Sequence, residues 1–495
     1  MYDSNNAPVI GIDLGTSFSA AARWTGTEAE IYTPKGERTT QSVVFYDERT
    51  KKFIFGKTAF MSGILNPDNV CIGVKRLMDD KNAQIKIGSQ IFSPIDISAM
   101  ILKHIYQSIE GMFPQGVYKA CGAVVTVPYY FKAHQCENTA EAVKKAGLNL
   151  LGIIQEPIAA AFAYGLHHSN EGCIRDENIL VFDLGGGTFD ITVFKIKEDA
   201  LNINFEVLGI GGDDRLGGID FDEKFREYII NKEGIDFESC ASEKIKKAGK
   251  QKLMDAVIKV KEALSTSETN YIGVPDVVPG VHIDSEYTRE EFEDSITNYV
   301  EEIRSILKHT LAAASINPDK INKVLKVGGS SKIPIMDKII DDVIGQGKTY
   351  SDIDPGLCIA QGAAIYAAYL TDNLNIKKKI SIVTATAHAL GVEDSKGNMV
   401  VLIHPNRKTP ARNTLTFNND EDNATEVDVK VYQGSSKVAK ENSHIGTVKV
   451  MGLKPAVKYQ LEIMITFEVG TEQMVTVTIE QKESNIKKTE VLKLI

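Results

Sequence analysis

Three consecutive glycines stand between two aspartates in VFDLGGGTFD, Val181 to Asp190. Each glycine adds backbone freedom that folding must remove, so three in a row inside an apolar strand imply a close approach to this backbone. An earlier stretch, GIDLGTSFSA (11–20), follows the same plan: apolar strand, Asp-Leu-Gly, hydroxyl residue, second strand-like run. Asp13 and Asp183 are 170 positions apart, and the later copy continues through ITVFKI. A duplicated strand–turn–strand points to two homologous lobes facing each other. Turns without side chains let backbone N–H groups converge on phosphate oxygens. Gly15 in the first copy and Gly185, Gly186 and Gly187 in the second supply such turns, and the hydroxyls of Thr16, Ser17 and Thr188 add donors. Asp13, Asp183 and Asp190 repel phosphate at neutral pH. A divalent cation between them, Mg²⁺ acting through its water shell, removes that conflict. A tight hairpin would explain either copy alone, but not two copies with matching strand-end aspartates. Neither copy ends in Gly-Lys-Ser/Thr, so neither is a Walker loop. A third glycine pair, Gly328 and Gly329 in VGGSSKIP (327–334), again follows a strand and is expected to approach the adenosine part of a nucleotide.

The elements that must position these turns alternate. VIGIDL (9–14), AVVTVP (123–128), NILVFD (178–183) and KVLKVGG (323–329) read as buried strands. Between them run helical periods. Ser93-Pro94 starts one, and Ile97, Ile101, Ile105 and Ile109 recur every four residues along it. The chain is therefore α/β up to about Leu374. Beyond it, NIKKKISIVTATA has no helical face and reads as a linker over 377–386. Strand-like runs punctuated by turns follow, at Glu426–Val431, Thr447–Val450, Gln460–Phe467 and Met474–Glu480. Val427, Val429 and Val431 share one face and Glu426, Asp428 and Lys430 the other, which is a half-buried antiparallel strand. That spacing suggests a β-sandwich over 387–495 behind a nucleotide-binding domain over 1–376.

Composition narrows the function classes. With 56 Lys and Arg against 66 Asp and Glu, the formal charge is −10, which argues against a general binder of nucleic-acid backbones. Six cysteines (71, 121, 136, 173, 240, 358) form no Cys-x-x-Cys pair, which fits a reducing compartment better than a disulfide framework or a zinc site. The His167-His168 pair reads as part of a solvated loop. The polar start MYDSNNAP lacks a secretory pattern, and no apolar run approaches a membrane span, so the expected setting is cytoplasmic, with no membrane partner.

The three glycine turns resemble those of the actin-like ATPase superfamily. More closely, IGIDLGTS, VVTVPYYF, IIQEPIAAAFAYGL, FDLGGGTFD, RLGGIDFD and VGGSSKIP are similar to the heat shock protein 70 family. HALGVED, RKTPAR and DNATEVDVKVYQG resemble the peptide-binding β-domain of that family, so the likeness runs nearly end to end. It implies an actin-like two-lobed ATPase domain followed by an all-β domain, with the helical lid of the family missing. It also implies ATP or ADP with Mg²⁺, and K⁺ among the monovalent ions. By motif position, Asp13 and Asp190 would hold the metal waters, with Asp183 beside them. Lys75, in GVKRLM, would stabilise charge at the γ-phosphate. Glu156 and Asp183 would orient the attacking water or take its proton; Glu156 also suits the positive end of a helix. Thr188 would hydrogen-bond the γ-phosphate, and Gly217 and Gly218 would line the phosphate path. Lys261, Ser265, Ser330 and Lys332 match adenosine contacts.

The chain departs from the family on the adenosine side. Ile258 stands where a ribose-binding glutamate is usual, and Glu262 at a variable position often held by arginine. Lys332 replaces an arginine that stacks on adenine, which lysine cannot do as a flat guanidinium does. Gly356 stands where an aspartate is usual. Gly152 falls where an arginine relays the nucleotide state to the peptide domain. ISIV (380–383) replaces a leucine-rich linker, and Lys377, Lys378 and Lys379 before it read as a solvated run. Weaker base discrimination and altered coupling are the expected consequences.

In the peptide domain Val427 keeps the central pocket, with Val392, Phe417, Val429 and Ile463 around it. The two positions that arch over a bound peptide hold Ser395 and Asp420. The implied partners are unfolded or nascent polypeptide segments, a J-domain co-chaperone and a nucleotide exchange factor, with ribosome association in the alternative of a non-hydrolysing regulatory co-chaperone. A filament-forming actin relative or a sugar kinase does not account for the β-domain.

Overall fold

The computed structural model describes residues 7–80, 82–113, 119–167, 169, 174–374, 376–470 and 474–493. Cys173, His168 and the first six residues lie outside them.

Two six-stranded sheets repeat one plan. In the first, Val9–Asp13 pairs antiparallel with Phe18–Trp24 on one side and parallel with Gly122–Val127 on the other. In the second, Arg175–Leu184 pairs antiparallel with Phe189–Glu198 and parallel with Lys323–Val327. The duplicated motif of the sequence is thus a duplicated sheet centre. A parallel strand buried on both faces needs an apolar run, which VIGID and NILVFDL supply.

Helices pack these sheets by local rules visible in the sequence. Ser93 accepts from the Asp96 N–H, and Asp96 returns the bond to the Ser93 N–H, so helix Pro94–Glu110 opens with a capping box. Its Ile97, Ile101, Ile105 and Ile109 are all buried. Helices Glu156–His167 and Cys358–Leu370 pack through small residues between the lobes. A Cβ on Gly362 would lie 1.8 Å from the Ala159 carbonyl oxygen, and one on Gly11 2.1 Å from the Ala364 nitrogen. Only hydrogen fits at either contact.

Beyond Thr384 the described residues form two four-stranded antiparallel sheets. One is Met399–Ile403, Leu390–Glu393, Glu426–Gln433 and Ser443–Met451; the other is Ala411–Asn418, Glu462–Val469, Met474–Gln481 and Ile486–Lys493. Their inner faces share one core, in which Val392, Val429 and Val448 of the first meet Ile463, Phe467 and Val477 of the second. Each such buried side chain contributes about 1.5–3 kcal/mol of apolar transfer. Along Glu426–Gln433, Val429 and Val431 are buried and Glu426, Asp428 and Lys430 exposed, as the alternation requires.

The segment read from the sequence as a linker is not free chain. Lys379–Val383 lies parallel to Asn202–Asp213 as the edge strand of the second sheet. Lys378, expected to be solvated, has a side chain only 8% exposed and ion-paired to Glu198 at 2.7 Å. The β-region then docks on the α/β part. The Tyr129 hydroxyl donates to the Ala385 carbonyl at 3.1 Å, and His388 Nε2 donates to the Tyr130 carbonyl at 2.8 Å. Gln433 Oε1 accepts from the Ala133 N–H at 2.9 Å, at the start of helix Ala133–Lys145. Asn406 Oδ1 accepts from the Ile210 N–H at 2.7 Å.

Candidate active site between two glycine turns

The turn of the Arg175–Leu184/Phe189–Glu198 hairpin is closed by the Gly185 N–H donating to the Thr188 carbonyl at 3.1 Å. Just outside the turn, Asp183 and Asp190 are directly opposed cross-strand partners. The first lobe brings Asp13 to the end of its central strand, where Thr126 donates to its Oδ1 at 3.0 Å. The glycines serve a further purpose that sequence reasoning did not separate from ligand approach. The turns of the two lobes touch. A Cβ on Gly186 would lie 2.1 Å from Ser17 Oγ, and one on Gly187 2.7 Å from Thr16 Oγ1. Gly217 abuts the Gly186 and Gly187 backbone, and Gly15 abuts the Phe18 carbonyl. Gly328, at φ +78°, sits 2.4 Å (as a Cβ) from the Leu184 carbonyl. The turns therefore form one continuous surface with few side chains.

Behind it Asp183 and Asp190 are buried and Asp13 is half-buried. Burial, then repulsion from Glu156, pushes Asp13 up to about 7, against the pull of Lys75 and the Thr126 bond. Burial, Glu156, Asp190 and Asp13 together hold Asp183 well above its ordinary value. Burial and Glu156 do the same to Asp190. Asp183 Oδ2 and both oxygens of Asp190 make no hydrogen bond; the Tyr129 and Tyr130 amides approach Asp190 without meeting hydrogen-bond geometry. Buried carboxylates without donors are costly. A divalent cation offsets that cost, so the donor set fits Mg²⁺. Among the described residues no three His, Cys, Asp or Glu side chains converge enough to ligate one ion directly. Asp13, Asp183 and Asp190 could hold such an ion through its water shell.

Lys75 lies on the 3₁₀ turn Val74–Leu77 and is buried. Its ammonium meets Glu156 Oε1 at 2.5 Å and lies 5.9 Å from the Phe131 ring centroid. Burial alone would lower its pKa, but Glu156 and Asp13 outweigh it and hold the lysine charged. Glu156 is the first residue of its helix, where the N-terminal dipole favours an anion. Thr16, Lys75 and Thr188 line one small pocket with Arg76, Asp79, Phe131, Gln135, Asp214 and Arg215.

On the other side, Lys261 donates to the Gly218 carbonyl at 3.2 Å and pairs with Asp222 at 2.8 Å. Ser265 is engaged by its own helix through the Lys261 carbonyl at 3.4 Å. Ser330 is buried beside Gly218, Gly329 opens the 3₁₀ turn that ends at Lys332, and Lys332 is exposed. Ile258 is half-buried, and the Gly356 N–H donates to Asp354, which pairs with Arg38 at 3.1 Å.

Sequence reasoning missed Arg76, Asp220 and Asp222. Arg76 crosses the cleft: its Nε and Nη2 donate to the Gly187 carbonyl at 3.1 and 2.9 Å, and its guanidinium clasps Asp220. Asp220 also accepts from the Gly217 N–H at 2.8 Å. Asp222 anchors Lys261, and burial pushes its carboxyl up to about 6. Their signal was adjacency, since Arg76 follows Lys75 and both aspartates lie in RLGGIDFD.

In the β-region, Val392, Val429 and Ile463 are buried together, with Phe417 and Val427 partly buried against them. Ser395 and Asp420 are exposed on the loops after Leu390–Glu393 and Ala411–Asn418. Asn419, next to Asp420, is buried and ties its loop to the 456–461 loop through the Ala456 and Val457 carbonyls and the Leu461 N–H.

Two sheets of one plan, meeting through glycine turns backed by buried aspartates, fit the two-lobed actin-like ATPase class, here continued by a β-region. The family model described as Hsp70 protein matches residues 9–91 and 78–494, and the chain belongs to that family. Its members bind ATP and ADP with Mg²⁺, are ATPases and act as chaperones on unfolded polypeptides.

Proposed function

We propose that this chain is an ATP-binding, slowly ATP-hydrolysing chaperone or co-chaperone that holds unfolded or nascent segments in its β-domain. Residues 1–376 form the ATPase unit in this reading and 387–495 the peptide unit. The observation that carries it is the lack of a hydrogen bond at Asp183 Oδ2 and both Asp190 oxygens, behind a surface of glycine turns. Bound Mg²⁺ would neutralise phosphate charge there. The Gly15 and Gly185–Gly187 turns and Thr16, Ser17 and Thr188 would hold the phosphates in line. Lys75 would stabilise charge on the γ-phosphate oxygens. Glu156 and Asp183 would orient the attacking water and accept its proton. Positioning then carries most of the rate, and a water held only by carboxylates gives slow turnover.

The exposed Lys332, the apolar Ile258 and the small Gly356 leave the base with few polar contacts. Calorimetric competition of ATP with GTP, with and without Mg²⁺, tests this pocket: Mg²⁺-dependent binding with weak preference for ATP is expected. A strong ATP preference contradicts the base-pocket reading, and Mg²⁺-independent binding contradicts the carboxylate reading. Peptide binding is expected to be weak and fast-exchanging, because a hydrated Asp420 does not close an apolar arch. Fluorescence anisotropy with a leucine-centred basic peptide measures it; slow release in ADP with rapid release in ATP contradicts it.

The alternative is a nucleotide-bound regulatory partner of a J-domain protein that does not hydrolyse. The short Lys75–Glu156 contact, which already occupies the ammonium, is the feature that favours it.

A further inference from the structure

Glu198 ends the hairpin strand opposite the phosphate turn, and its side chain is fully buried. Three groups converge on its carboxylate. Arg175, its cross-strand partner, donates from Nε to Oε2 at 2.7 Å, with Nη2 ion-paired 2.6 Å from the same oxygen. Lys378 Nζ donates to Oε1 at 2.7 Å, and Ser169 Oγ to the same oxygen at 2.5 Å. Burial would raise the carboxyl, but the bonds from Lys378, Ser169 and Arg175 outweigh it and hold it below its ordinary value. Arg175 is fixed independently, by a 2.6 Å bond from Nη2 to the Gly165 carbonyl and by the Tyr164 ring 6.0 Å away.

Lys378 immediately precedes the edge strand Lys379–Val383. That strand is short, parallel and half-exposed, with Ile380 its buried side chain. Within it, Ser381 Oγ donates to Asn204 Oδ1 at 2.5 Å, and Ile380 packs in the core. A five-residue parallel edge strand holds weakly by ladder bonds alone. The Lys378–Glu198 pair lies beside its first residue, whose N–H donates to the Leu201 carbonyl at 2.7 Å.

We infer that Glu198 is the anchor of the interdomain strand, with Lys378 docking on it and Arg175 holding its charge independently of the strand. Breaking a buried pair normally strands a charge in the interior. Arg175 prevents this at Glu198 when Lys378 is replaced. The same hairpin carries Asp183 and Asp190 eight residues along, about 27 Å away at ~3.4 Å per residue. One rigid element thus bears the strand's anchor at one end and the phosphate turn at the other.

Hydrogen exchange of the 379–383 amides in the full chain tests the anchor without reference to ATP hydrolysis. Lys378→Met is expected to speed their exchange at least fivefold, and Lys378→Arg to keep it near the unsubstituted rate. Glu198→Gln is expected to match Lys378→Met, with the double variant no faster than either, as two partners of one interaction require. Amides near Asp190 report whether Glu198→Gln preserves the hairpin; if they lose protection, the Met and Arg variants of Lys378 decide alone. Less than fivefold acceleration in Lys378→Met, or equal acceleration in Lys378→Arg, overturns the inference. Multiplying effects in the double variant of an intact hairpin overturn it as well.

Discussion

Asp183 and Asp190 face each other as cross-strand partners one residue pair beyond the Gly185–Thr188 turn, both buried, with three of their four carboxylate oxygens lacking a hydrogen bond. Like charges opposed in a sheet destabilise it, and the protein keeps them where a phosphate-bearing ligand would bring a cation.

Removing the cation is therefore expected to cost stability. Mg²⁺ with ADP should raise the melting temperature of the unsubstituted protein by several degrees, as ligand linkage requires. Asp190→Asn should raise the melting temperature of the ligand-free protein while abolishing most of the Mg²⁺-dependent increment. Differential scanning fluorimetry with and without EDTA reads both effects. An unchanged increment in Asp190→Asn contradicts this role.

Lys75 and Glu156 form a buried pair, so removing one partner strands the other. Lys75→Ala is expected to lose about 3–5 kcal/mol of unfolding free energy, and Lys75→Met with Glu156→Gln to recover much of it. Urea unfolding of the two single variants and the double gives the coupling. Additive losses would mean that the contact contributes nothing to stability.

Arg76 joins the lobes through the Gly187 carbonyl and Asp220. Hydrogen bonds to charged groups contribute about 1.5–3 kcal/mol. Arg76→Ala should therefore weaken ADP affinity by roughly ten- to a hundredfold, through a loosened turn. Titration calorimetry checks this, and Arg76→Lys should recover little, because one ammonium does not span both acceptors.

The docked β-region carries a pH dependence at His388. Burial lowers its pKa below the ordinary 6.5, with Lys132 acting in the same direction and the Tyr130 carbonyl and Asp214 against it. A docked histidine that resists protonation favours docking fully above about 6.5, and docking weakens as pH falls below that value. Interdomain energy transfer from labels on the two parts should decrease between pH 7 and 5, and His388→Gln should flatten the profile. A pH-independent signal in the unsubstituted protein contradicts it.

The paired glycine turns were legible because they are written in contiguous residues. Strand, glycine and aspartate follow one another, and the family likeness fixed Lys75 and Glu156 at a distance. The helix Pro94–Glu110 was legible from its cap and four-residue period. What acts across the fold was not. Gln433 meets Ala133 from 300 positions away and His388 meets Tyr130 from 258, and neither pair has a local pattern. Lys378 looked solvated because a lysine run usually is; its partner Glu198 lies 180 positions earlier. Arg76, Asp220 and Asp222 sat inside quoted motifs, but their roles come from a clasp between lobes that neighbouring residues do not reveal.

Single-turnover hydrolysis of ATP in Mg²⁺, comparing the unsubstituted chain with Lys75→Ala, tests the central claim most directly. A slow but measurable single exponential is expected, reduced by about two orders of magnitude or more in Lys75→Ala, with much of the ATP binding retained. Hydrolysis indistinguishable from buffer in the unsubstituted protein would contradict the enzyme reading and leave the regulatory one.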